Sequence, residues 1–161
     1  MNVSTKADYS KDEWESLVKA PMMAAMAVVA ASPSGPIGVL KEMFAVGKGL
    51  MEGAEGTTNP LIAAIVADVK AGNRPTASAE RPQDLAQVKA QALSACREAA
   101  ALVGRKAPGE AEGYKRWLLV TAQRTAEAAK EGGTLGIGGV PVSDAEKAAL
   151  GEVAQALGLK A

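Results

Sequence analysis

Apolar positions recur along most of this chain at intervals of three and four residues, the period of a helix that buries one face. The first run holds Trp14, Leu17, Val18, Pro21, Met22, Ala25, Val28 and Val29. Ser10-Lys11-Asp12-Glu13 precedes it as a reciprocal cap, in which the serine accepts from a backbone N–H and the glutamate reaches back. Pro21 falls inside the run, where it removes one backbone bond and predicts a bent axis. Ser32-Pro33-Ser34-Gly35 stops the helix. A second helix is expected from Pro36 to about Met51, with Gly47 and Gly49 weakening its end.

Asn59-Pro60 reads as an N-cap followed by proline in the first turn of a third helix, whose stripe is Leu61, Ile62, Ile65, Val66 and Val69 and whose end is Gly72. Residues 72–83 form the longest linker-like stretch. A fourth helix is expected from about Pro82 to Val103. Its inward side would carry Leu85, Val88, Leu93, Cys96, Ala99, Ala100 and Val103, with Gly104 as its cap. A fifth runs from about Gly109 to Lys130 around Tyr114, Trp117, Leu118, Thr121 and Thr125. After a glycine-rich connector, 132–142, the sixth starts at Ser143 with Glu146 completing a second Ser-x-x-Glu cap, and it ends at Gly158.

Composition agrees with helices only. Of the 161 residues, 34 are alanine and five are aromatic; alanine is the strongest helix former and a poor strand former. The expectation is one all-α domain over 1–161, of about six helices. Eighteen basic residues balance eighteen acidic ones, so net charge points to no polyanionic partner. Arg105-Lys106 and Lys115-Arg116 are short pairs without interleaved aromatics, and no nucleic-acid binding is expected. Ala20–Leu40 carries no charge, but Pro33, Gly35 and Pro36 interrupt it. It reads as a core helix rather than a membrane span. With polar residues at Met1–Asp8 and a single cysteine, the expectation is a cytoplasmic protein without a disulfide.

The two ends of the chain read alike. Trp14–Ala31, Ser34-Gly35 and Val39-Leu40-Lys41-Glu42 match Trp117–Ala129, Gly132-Gly133 and Val142-Ser143-Asp144-Ala145-Glu146. Gly35 and Gly133 are 98 residues apart, Glu42 and Glu146 104 apart. Two readings remain open: helical hairpins of an alanine-rich chain look alike without common origin, or units 10–52 and 109–158 are a duplication packed with central helices.

These features, and most closely Ala126-Glu127-Ala128-Ala129-Lys130-Glu131-Gly132-Gly133, Val142–Lys147 and Ala154-Gln155-Ala156-Leu157-Gly158, resemble the TerB-like tellurite-resistance proteins. The likeness covers about 80 of the 161 residues. It implies a soluble all-α fold of two related helical units, a link to bacterial stress, and a divalent cation held by acidic residues. That family has aspartate before its turn glycine, where this chain has Ser34-Gly35 and Glu131-Gly132-Gly133. No metal site is therefore expected.

Candidate chemistry is sparse. Without histidine there is no catalytic triad and no imidazole ligand, and one cysteine makes no zinc or iron–sulfur site. Cys96 lies on an apolar stripe and reads as structural. The run Gly132–Gly139 trails a helix and lacks a following Lys-Ser/Thr pair, unlike a phosphate loop. Asp12, Glu13 and Glu15, like Asp144 and Glu146, cluster at helix starts, where the helix dipole favours negative charge. Met22, Met23, Met26, Met43 and Met51 read as core filling, or as an adaptable partner surface. The sequence thus predicts no catalytic, cofactor-binding or metal residue. Its expected role is a non-enzymatic helical module that binds another protein or a second copy of itself; the alternative is a small divalent-cation or small-molecule binder.

Overall fold

In the computed structural model, which describes residues 5–31, 51, 54–72, 85–131 and 144–159, all regular structure is helical and no strand occurs among those residues. Among the described residues a short 3-10 turn, Lys6–Asp8, precedes five α-helices whose bounds are described. They are α1 (Lys11–Ala31), α2 (Pro60–Lys70), α3 (Leu85–Lys106), α4 (Pro108–Glu131) and α5 (Asp144–Ala156). The expected helix over 36–51, apart from Met51, lies outside the described residues. So do the glycine-rich connector 132–142, nearly all of the 72–83 stretch, and both turns of the repeat.

The helix ends follow local chemistry. Ser10 N–H donates to Glu13 Oε2 at 2.8 Å, and Glu13 N–H donates to Ser10 Oγ at 3.2 Å, so the first cap forms as the sequence predicts. At α2, Asn59 Oδ1 accepts from the N–H groups of Leu61 (3.0 Å) and Ile62 (3.3 Å), with Pro60 in the first turn. Gly72 adopts φ +101° two residues beyond the end of α2. One boundary differs from expectation. α3 passes through Gly104 to Lys106, and Ala107 N–H donates to the Val103 carbonyl at 2.7 Å. The apolar stripe continues to buried Ala107, which keeps the helix going past a glycine that has no positive φ. Pro108 then opens α4 directly.

α1 is the hub. It touches all four other helices, most extensively α3 and α4, while α2 lies chiefly against α4. From its second turn onward α1 is buried on nearly every side, through Leu17, Val18, Ala20, Ala24, Ala27 and Val28, as expected of a helix apolar all round. Among the described residues α1 alone has the length and composition to cross a membrane, and most of that apolar window is buried against its neighbours.

Alanine supplies much of the contact surface. Ala92, Ala99 and Ala100 of α3, Ala122 and Ala126 of α4, and Ala149 of α5 all join the core. Small side chains there let helix axes approach towards the low end of the usual ~8–10 Å. On α3 the innermost residue of its second turn is Ala92, whereas Leu93 and Val88 are only half-buried. The expected α4 stripe is buried in full: Tyr114, Trp117, Leu118, Thr121 and Thr125.

Candidate functional site

The chemistry-bearing side chains are mostly engaged in holding the bundle. Thr121 Oγ1 donates to the Trp117 carbonyl and Thr125 Oγ1 to the Thr121 carbonyl, both at 2.8 Å and buried within α4. The Tyr114 hydroxyl, fully buried, donates to the Leu17 carbonyl at 2.8 Å. Burial pushes its pKa well above the ordinary phenol value. Cys96 is buried as expected, and desolvation raises its thiol to about 12 despite the neighbouring Arg97 charge. A thiol so placed is neither a nucleophile nor a ligand at neutral pH.

Carboxylates divide the same way. Glu13 accepts from Lys106 Nζ at 2.7 Å as well as from Ser10 N–H, and these contacts hold its carboxyl below the usual range. Asp12 and Glu15 are exposed on the first turns of α1. On α5, Asp144 is exposed and Glu146 is buried, while Ser143, the other half of the expected cap, lies outside the described residues. Among the described residues no group of three or more metal-ligating side chains converges. The two basic pairs are also divided: Lys106 turns to Glu13, whereas Arg116 pairs with Glu112 along α4. Met23, Met26 and Met51 pack half-buried against the core, and Met22 is half-buried on α1.

Three long-range constellations went unread in the sequence. Asp68 on α2 accepts from Trp14 Nε1 at 2.8 Å and from Lys6 Nζ at 3.1 Å. Lys106 Nζ donates to the Asp8 carbonyl at 3.0 Å and lies 5.3 Å from the centre of the Tyr9 ring. Asn59 Nδ2 donates to the Glu110 carbonyl at 3.0 Å, tying the start of α2 to the start of α4. None of the three has a local signal, whereas the Tyr114–Leu17 bond has one, since the interior Pro21 predicts an unpaired carbonyl four residues back.

One concavity adjoins α4. Glu112, Lys115, Arg116 and Leu119 line it together with Gly158 and Leu159 beyond α5, and it encloses about 530 Å³. Leu119 and Leu159 are half-buried, and Gly158, at φ +74°, turns the chain beside them. An apolar floor beneath charges of both signs could hold a small amphiphilic molecule, and none of its described polar lining residues is buried. No family model, curated protein or solved structure matches the chain.

Proposed function

We propose that this chain is a non-enzymatic helical interaction module, cytoplasmic, that binds another protein or a second copy of itself. Its likeness to TerB-like proteins suggests a role in bacterial stress responses. The observation that carries the proposal is the engagement in the fold of five side chains that could react. The Cys96 thiol, the Tyr114, Thr121 and Thr125 hydroxyls and the Glu13 carboxylate are buried or bonded within the bundle. Catalysis needs a group free to touch substrate, and none of these is.

The test is affinity capture of the tagged full chain from its native cell, joined to sedimentation of the purified protein. The reading expects a stoichiometric protein partner or a concentration-dependent dimer. A monomer that captures nothing at stoichiometric yield would overturn it.

The groove beside Lys115 supports the second reading, a small-molecule binder. Thermal-shift screening separates the two, because a ligand at a hundred times its dissociation constant adds ~2.7 kcal/mol to stability. Leu119→Arg, which would fill the groove, should abolish any such shift.

A further inference from the structure

The residues before α1 are held by contacts unlike those inside the bundle. The segment Thr5–Ser10 has one buried side chain, Tyr9, whose ring lies 5.8 Å from that of Trp14 at a tilt of 43°. Two further ties to the bundle are charged. Lys6 reaches Asp68 on α2, and Lys106 of α3, itself paired with Glu13 of α1, reaches the Asp8 carbonyl. The 3-10 turn itself is one short turn, in which Asp8 N–H donates to the Thr5 carbonyl at 3.0 Å, Tyr9 N–H to the Lys6 carbonyl at 3.3 Å and Thr5 N–H to Asp8 Oδ2 at 2.7 Å. A turn that short does not persist alone in water.

The helix that follows has an independent start. The Ser10–Glu13 cap needs nothing upstream of Ser10, and the Trp14 N–H donates to the Ser10 carbonyl at 2.9 Å. The chain therefore divides at Ser10 into a segment clamped by exposed charges and a helix that keeps its own N-terminus. Segments held this way open at lower free energy than the core they cover.

We propose that Thr5–Tyr9 is a latch that opens as a unit while the helix bundle stays folded, uncovering the Trp14 ring and parting Lys6 from Asp68 and Lys106 from the Asp8 carbonyl. Closure is electrostatic at its two ends and aromatic at its centre. Screening the Lys6–Asp68 pair and the Lys106 charge on the Asp8 carbonyl weakens the ends and leaves the Tyr9–Trp14 contact, so salt shifts the latch without unfolding the protein. Opening presents the Trp14 ring beside an Asp68 carboxylate still bonded to its indole N–H and a Lys106 ammonium still paired with Glu13. This goes beyond the interaction-module reading, and it stands or falls independently of whether a partner is ever captured.

Native-state hydrogen exchange by NMR tests it on the full chain, reading the Asp8 and Tyr9 amides against the amides of Leu17–Ala27. Raising ionic strength from about 0.01 M to about 1 M shortens the screening length from ~30 Å to ~3 Å. The latch protons should then exchange about tenfold faster relative to the α1 amides. Lys106→Met should produce a similar relative acceleration at low salt, and Arg97→Met, an exposed change elsewhere on α3, should not. The α1 amides of each variant serve as the internal reference, so a general loss of stability is not mistaken for latch opening. Latch protons that exchange in step with α1 at every salt concentration would overturn the proposal. So would latch protons unprotected even at low salt, because no closed latch would then exist.

Discussion

The Tyr114 hydroxyl donates its hydrogen bond to the Leu17 carbonyl, the acceptor that Pro21 leaves without its helical donor. In an uninterrupted helix the N–H four residues on would fill that place, and proline has none. The central helix thus carries a proline in its buried middle because α4 supplies the missing proton. Tyr114→Phe keeps the ring and orphans the carbonyl, so a loss of about 1–3 kcal/mol is expected in urea unfolding. Pro21→Ala restores a backbone donor to the same carbonyl. In that background Tyr114→Phe should cost at least about 1 kcal/mol less. Additive effects would show that the two residues act separately.

Asn59 and Gly113 stand in a similar relation. A Cβ on Gly113 would lie 2.6 Å from Asn59 Nδ2, the atom that bonds the Glu110 carbonyl. Glycine to alanine inside a helix ordinarily gains up to ~1 kcal/mol. Gly113→Ala should instead destabilise by about 1 kcal/mol, because Asn59 is held at both ends and its cap is worth about as much. Gly104→Ala, with open space around its Cβ, should show the ordinary gain. Calorimetric melting of the two variants checks the contrast, and a gain of equal size at both positions would refute it.

How far the fold was legible follows from what alanine hides. Capped starts at Ser10 and Asn59, and the α4 stripe from Tyr114 to Thr125, could be read because serine, asparagine and large apolar residues mark a position unambiguously. On α3 the large residues misled: Leu93 is half-buried while Ala92 is at zero exposure. A residue found on every face of every helix gives no period to read, yet in a close-packed bundle it is the one that faces inward. The candidate carboxylates at helix starts were legible as structural features. Lys106 and Asp68 were not, since a pairing across 93 or 54 residues leaves no local trace.

Acid should loosen the start of α1 first. The Lys106 ammonium, and then the Ser10 N–H, hold Glu13 below its ordinary 4.5, and bonds from Thr5 hold Asp8 below 3.8. A carboxyl with a depressed folded value stabilises above its unfolded value and loses that contribution as pH falls through the folded one. Melting temperature should therefore decline as pH drops below 4.5, and the Glu13 and Asp8 contributions vanish only beneath their lowered values. Glu13→Gln should melt below the parent at neutral pH and converge on it in acid. Parallel curves would remove Glu13 from the account.

The thiol gives a probe of the core itself. Burial raises Cys96 to about 12, and the side chain shows no exposed surface, so reaction requires both ionisation and access. Ellman's reagent at neutral pH should label the native protein at least ~10³-fold more slowly than the urea-unfolded chain, given ordinary domain stability. The origin of the residual rate can be read from its urea dependence. Because Cys96 belongs to the core cluster that α1, α3 and α4 share, the slope should approach the full equilibrium m-value, the mark of access through global unfolding. A shallow slope with slow labelling would mean that α3 swings away locally. Labelling of the native protein within about tenfold of the unfolded rate would place Cys96 on the surface, and the packing of α3 on α1 described above would be wrong.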